Sequence, residues 1–403
     1  MSNNAGKKKI CVVVGSRASY ARVKSVLEAV REHPELELQL VTGASLVLER
    51  FGNAADVIAL EGFVSDATIR FIIEGETPAT MAKSTGLALL ELPTVFESLK
   101  PDIVLTVADR FETIATTIAA AYMNIPVAHT QGGEVSGSID ESVRHAVTKF
   151  AHLHFPATEL AARRVIAMGE DPATVYNVGC PSIDLVSRAD LGLRRDVLKH
   201  FGGAGSPIDP ERPFILLMQH PVTTEYGSGL DHMHETLEAV RLLRMQALVF
   251  WPNVDAGSEH LAKGIRRFRE LGRAERFHFF RNLPPEIFVK LMAHCSCMVG
   301  NSSAALREGA YLGVPAVTIG SRQRNRERAS NVVEVPHDRE LIADAIRDQL
   351  AHGPFPRSLL FGDGTAGRQI AEILAWSEPV VQKQLPLEYG LEAAASGSSS
   401  GGR

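Results

Sequence analysis

Short apolar runs that stop at a glycine or a polar residue, each followed by an amphipathic stretch, constrain this chain more than any other feature. Residues 10–14 (ICVVV) end at Gly15 and lead into SRASYARVKSVLEAV, a helical pattern. Residues 36–41, 103–107, 125–128 and 175–178 repeat the theme, ending near Thr42, Asp109-Arg110, His129 and Gly179. Continuous apolar runs of this length suit strands buried on both faces, and their alternation with helices predicts a parallel sheet. The pattern breaks at residues 202–213 (GGAGSPIDPERP) and then restarts, with runs at 214–218, 248–251, 277–280, 297–299 and 316–319. The reading is an α/β chain of two doubly wound, Rossmann-like domains, for which 403 residues is a comfortable length. The expected divisions are a disordered 1–8, a first domain over 9–200 and a second over 201–358. A C-terminal helix in 359–390 is expected to return to the first domain, ahead of a disordered tail over 391–403. Ligands of open α/β sheets bind past the strand C-termini, so the cleft between the two sheets is the expected site.

The bulk numbers exclude several partners. A net charge of −5 advertises no nucleic acid and no anionic membrane surface. No apolar run approaches the roughly 20 residues of a membrane span, and the apolar run after MSNNAGKKK is too short for a signal segment. Cys11, Cys180, Cys295 and Cys297 form no paired framework, which fits reduced thiols in a cytoplasmic protein.

The polar residues that close the strands are the candidates for chemistry. Gly15-Ser16-Arg17-Ala18 has a single glycine and no nicotinamide fingerprint; it reads either as a diphosphate contact through Arg17 or as a turn with a capping serine. Asn301-Ser302-Ser303 opens a helix, with Glu308 one turn in as an acceptor for ribose hydroxyls, and Arg322, Arg324 and Arg326 follow the next strand. His220 ends one strand and Asn253 with Asp255 another. In HTQGGEVSGSIDESVRHA, residues 129–146, the glycines allow backbone to approach a ligand closely. Asp140 with Arg144 and Glu141 with His145 are spaced to pair along a helix. His129, His145, His152 and His154 show no established metal spacing, so no metal is expected.

Taken together, DRFET (109–113), HTQGGEVSGSIDESVRHA, QHPVTTE (219–225), PNVDAGS (252–258) and GNSSAALREGAYLGVPAVTIGSRQRNRE (300–327) resemble the hydrolysing UDP-N-acetylglucosamine 2-epimerases of bacterial sialic-acid and legionaminic-acid routes. The resemblance implies a GT-B fold, no cofactor, a UDP-sugar partner and a homo-oligomer, dimer or tetramer. It implies the conversion of UDP-N-acetylglucosamine and water to N-acetylmannosamine and UDP through a glycal. By match to the family, Arg17, Arg110, His220, Asn253, Ser302, Ser303, Glu308 and Arg322 hold UDP, with Ala18, Arg144 and His145 in the same binding set. Asp109, Glu134 and Asp140 fall at or beside the acidic positions around the sugar. Many relatives carry a catalytic glutamate where this chain has Gln131, and an amide takes no proton at neutral pH. That departure keeps a second substrate open, the UDP-linked 2,4-diacetamido-2,4,6-trideoxyglucose, and a GT-B glycosyltransferase stands behind both.

Overall fold

The computed structural model describes residues 6–48, 54–107, 110–199, 201–253, 255–281 and 283–384. The first sheet contains β1 (Lys8–Val14), β2 (Leu36–Thr42), β3 (Ala67–Thr68), β4 (Ile103–Val107), β5 (Val127–Thr130) and β6 (Leu153–Phe155), all parallel, in the order β3-β2-β1-β4-β5-β6. The second contains β7 (Ala204–Gly205), β8 (Phe214–Met218), β9 (Gln246–Phe250), β10 (Phe277–Phe280), β11 (Cys297–Gly300), β12 (Ala316–Ile319) and β13 (Val332–Val335). Its order is β13-β12-β11-β8-β9-β10-β7, and only β7 runs antiparallel. These are two Rossmann-like domains in the GT-B arrangement. Chain direction across each sheet reverses at β1/β4 and at β11/β8, so the loops after those strands diverge and leave a crevice. Gly15–Arg17, Arg110, Gln219-His220 and Asn301–Ser303 all lie in those loops.

The strands read from sequence are close to those observed, with instructive exceptions. The run at 125–128 pairs only from Val127, because Pro126 has no N–H to give a ladder. The run at 175–178 is no strand. It makes one bridge, from Val175 to His154, and then Tyr176 packs at a tilt against Phe155 and edge-on against Trp376. Within the Gly/Pro-rich break, Ala204 and Gly205 pair with β10.

Each sheet is coated on both faces by apolar side chains. Ile10, Val12, Leu27, Leu105 and Phe155 belong to one face of the first, and Leu217, Leu237, Phe268, Phe277 and Ile346 to one face of the second. The helix Ala366–Trp376 crosses back and inserts Ile370 and Leu374 into the first-domain core beside Lys24–Glu32. Its ends are held by charge. Asp184 accepts from the N–H groups of Ala366 (3.1 Å) and Gly367 (2.6 Å), and Lys8 donates to the carbonyls of Ala375 (3.0 Å) and Ser377 (2.7 Å). Gly367 has no side chain because a Cβ there would sit 2.6 Å from the Ser25 backbone. Where the chain crosses between domains, Cys180, Ile183 and Val186 pack with Val289, Tyr311 and Phe361.

A buried charge cluster joins the domains. Glu134, 2% exposed, receives Arg307 Nη2 (2.5 Å) and Arg326 Nε (3.0 Å) on one carboxylate oxygen, while Arg144 donates to its carbonyl (2.8 Å). Burial alone would raise the Glu134 pKa. Arg307, Arg326 and Arg144 outweigh it and bring the group from the ordinary 4.5 down to about 2. Glu134→Gln, which leaves buried guanidinium groups uncompensated, is expected to cost about 3–5 kcal/mol of unfolding free energy at neutral pH. A depressed carboxylate stabilises above its unfolded value and loses that stability as pH falls through its folded value. Urea midpoints of wild type and variant should therefore converge as pH drops from about 4.5 towards about 2. A gap that persists unchanged into acid would refute the assignment.

Candidate active site

The crevice between the sheets is a cleft of about 270 Å³. From the first domain, Ser16, Arg17, Ala18, Arg22, Arg110 and Asp140 reach its wall. From the second come His220, Asn253, Ser302, Ser303, Glu308 and Arg322. Leu283, Phe288 and Phe250 add apolar surface at the second-domain side.

Ser16 is the capping serine of the first loop, and Arg17 stands beside it at the cleft wall. Its hydroxyl caps the helix Arg17–Ala21 by accepting from Ser19 N–H (3.1 Å), and the cap sets Arg17 at the cleft, where its guanidinium donates to the Leu283 carbonyl. Burial pulls Arg17 down to about 10, which leaves it charged at neutral pH. Arg22 reaches across to Ser303 Oγ (2.9 Å). Arg110 donates through Nε to Glu112 (2.8 Å) and pairs through Nη1 with Asp255 (3.0 Å), while its buried Nη2 has no hydrogen-bond partner. Arg322 lies 3.8 Å from Asp255 and 3.9 Å from Asp140. Burial would raise Asp255, but Arg110 and then Arg322 hold it below the ordinary carboxylate range. The cleft is thus lined by guanidinium groups whose charge is only partly matched by fixed carboxylates, a surface suited to an anion of two or more charges.

His220 is built as a neutral donor. Its backbone is clamped by Asn301, which accepts from His220 N–H (2.7 Å) and donates to its carbonyl (2.8 Å). Asn253 N–H donates to His220 Nδ1 (3.3 Å), so the neutral ring carries its proton on Nε2. Burial, then Arg322, lowers its pKa to about 3.

The stretch after β11 differs from the expectation in one detail. Ser302 accepts from Ala304 N–H (3.3 Å) and caps a single 3₁₀ turn, Ser303–Ala305. The α-helix begins only at Glu308, so Glu308 is its first residue and not one turn inside. That position brings Glu308 to the cleft wall, and its buried Oε2 has no hydrogen-bond partner there.

Several expected residues are not brought to the cleft. Asp109 lies outside the described residues. Glu134 and Arg144 are spent in the interdomain cluster, so Arg144 does not pair along its helix with Asp140 as the spacing suggested. His145 pairs with Glu141 (3.4 Å) as their spacing predicts, and it is not in the cleft lining. Gln131, at φ +63°, points its amide at Cys180 Sγ (3.4 Å). Gly133 approaches another part of the protein and not a ligand: a Cβ there would lie 2.1 Å from the Ala161 carbonyl. His154 pairs with Glu170 (3.1 Å), and His152 accepts from Val127 N–H (3.1 Å). Sequence reasoning missed Arg22, Ser45, Phe250, Leu283 and Phe288. Arg22 carried a signal, since it follows Arg17 past a short capped helix; the others are apolar or small and carried none.

Residues 28–375 match the family model described as UDP-N-acetylglucosamine 2-epimerase. A UDP-N,N'-diacetylbacillosamine 2-epimerase (hydrolyzing) of Legionella pneumophila is 33% identical over 368 residues, covering 91% of this chain and 95% of that protein. A UDP-N-acetylglucosamine 2-epimerase of Neisseria meningitidis is 28% identical over 370 residues, covering 91% and 95%. In fold, the chain is similar to the crystal structure of the Neisseria meningitidis UDP-GlcNAc 2-epimerase bound to UDP-GlcNAc, with a TM-score of 0.75, 19% identity and coverage of 92% of this chain and 100% of that one. The chain belongs to the UDP-N-acetylglucosamine 2-epimerase family.

Proposed function

We propose that the chain is a hydrolysing epimerase that converts UDP-N-acetylglucosamine and water to N-acetylmannosamine and UDP. The observation that carries this is the convergence of Arg17, Arg22, Arg110 and Arg322 from both domains on one cleft that also holds the carboxylates of Asp140 and Glu308. The guanidinium groups and the Nε2–H of His220 stabilise the charge that gathers on the departing diphosphate. Glu308 Oε2 accepts from ribose hydroxyls. Cleavage between C1 and its oxygen, with loss of the C2 proton, gives a glycal; water then adds at C1 while a proton returns to the opposite face of C2. Two faces need two proton carriers. Asp140 is one, and Asp109, the residue before the cleft-lining Arg110, is the other. Gln131 donates and accepts hydrogen bonds but moves no proton. One observation favours a second substrate: the 33%-identical Legionella protein is named for a UDP-linked diacetamido sugar. Both sugars share the C1 and C2 chemistry and differ at C4 and C6.

Incubation of either UDP-sugar without acceptor tests the reading. In heavy water the free sugar should carry deuterium at C2, and in oxygen-18 water the label should enter the sugar and not UDP at early times. A glycosyltransferase hydrolysing its donor would keep the C2 proton, and retention of that proton rejects the proposal. Comparison of kcat/KM for the two UDP-sugars decides the substrate.

Two further outcomes are expected. Glu308→Ala should weaken UDP binding by about 1.5–3 kcal/mol with little change in kcat, while Asp140→Asn should lower kcat about 10²–10⁴-fold with UDP affinity nearly kept. Calorimetry and steady-state kinetics on the two variants check this. The His220 imidazole, with its pKa lowered to about 3, should show no titration between pH 5 and 8 in the free enzyme, followed through its ring nitrogen shifts by NMR.

A further inference from the structure

Behind the cleft, on the far side of His220, lies a second cluster that the epimerase chemistry does not use. Among the described residues, one group of three metal-ligating side chains has its donor atoms within 4.8 Å of one another: Glu225, His232 and His337. They come from three separate places. Glu225 ends the 3₁₀ turn Thr223–Glu225 after β8, His232 stands in the first turn of the helix Gly229–Leu242, and His337 follows β13. Such scattered origins explain why no spacing in the sequence announced them.

The donor atoms lie close together without bonding to one another. Glu225 Oε2 is 3.6 Å from His232 Nδ1 and 3.9 Å from His337 Nε2, too far for hydrogen bonds. Ligand atoms held about 2.1 Å from a tetrahedral zinc lie about 3.4 Å apart, close to these separations. Glu225 Oε2 and both ring nitrogens of His337 are buried with no hydrogen-bond partner, which is unusual for sealed polar atoms. The other carboxylate oxygen is already oriented, because Ser321 Oγ donates to Glu225 Oε1. The two rings stack with centroids 3.6 Å apart and planes 3° from parallel. Parallel stacked rings do not aim their nitrogens at one point, so rotation of one ring about Cβ–Cγ, a soft torsion, is needed for both to reach one ion.

We propose that Glu225, His232 and His337 form a binding site for a divalent cation of the zinc class, separate from the catalytic cleft. Two imidazoles and one carboxylate are a donor set for zinc or cobalt rather than calcium or magnesium, with water completing the shell. The ion would tie the turn after β8 and the start of the helix Gly229–Leu242 to the residue after β13, and through Ser321 to the loop that carries Arg322. Its role is structural, and turnover does not need it.

The test uses the full-length protein stripped with chelator and titrated with Co²⁺. Uptake of one equivalent at micromolar free cation is expected, with visible bands of a four- or five-coordinate nitrogen–oxygen site, displacement by Zn²⁺ and a raised Tm. His232→Asn and His337→Asn should each weaken uptake by at least the roughly 10–100-fold that even an outer-shell partner is worth, while metal-free turnover is kept. Should either variant fold poorly, Glu225→Gln, which keeps the shape and removes the charge, is expected to show the same loss. No stoichiometric uptake by wild type, or uptake with unchanged affinity and spectrum in the variants, overturns the site.

Discussion

The contact of Glu134 with Arg307 and Arg326 fixes how the two domains face each other. A carboxylate this deeply buried survives ionised only because guanidinium groups from the other domain surround it. The same loop brings Gly137 so close to the second domain that its N–H donates to the Arg322 carbonyl (3.1 Å), and a Cβ there would lie 1.8 Å from the Ser321 carbonyl. Asp140 begins its helix three residues later. The position of a candidate proton carrier relative to Arg322 therefore follows from a buried ion cluster that lies outside the cleft lining.

The cleft itself is an arrangement of imperfectly matched charge. Asp255 sits between Arg110 and Arg322, and Asp140 lies at longer range from Arg322. Fixed carboxylates of this kind keep the guanidinium groups in place when no ligand is bound and lower the cost of burying them. In the proposed reading, a diphosphate would meet guanidinium groups from both domains, and Arg110 Nη2 has no competing hydrogen-bond partner. His220 remains neutral among these cations and adds nothing to their repulsion.

Much of the fold was legible because buried parallel strands are continuous apolar runs. Residues 103–107 and 214–218 match β4 and β8 residue for residue. What failed failed for tertiary reasons. The run at 175–178 has strand composition but lies where aromatic packing on Trp376 takes over from the ladder. At the site, residues directly after strands were readable: Arg17, Arg110, His220, Asn253, Ser302 and Arg322 all reach the cleft. Glu134 and Arg144 misled because i,i+4 spacing and an acidic residue in a glycine loop say nothing about a second domain that buries both. Glu308 was read one turn too deep, since the backbone of Arg307 (φ −99°, ψ −76°) interrupts what composition presents as one helix.

The return of the helix Ala366–Trp376 to the first domain means that the polypeptide passes between the domains twice. The passages run side by side: Cys180 N–H donates to the Phe361 carbonyl (2.7 Å), and Gly179 and Gly362 meet backbone to backbone. A single tether would let one domain swivel about a point. Two adjacent tethers resist that swivel, and the small apolar cluster around Ile183, Tyr311 and Phe361 packs beside them. Together with the Glu134 cluster, the paired passages tie the domains at more than one place, which holds the cleft's two arginine-bearing walls in one register.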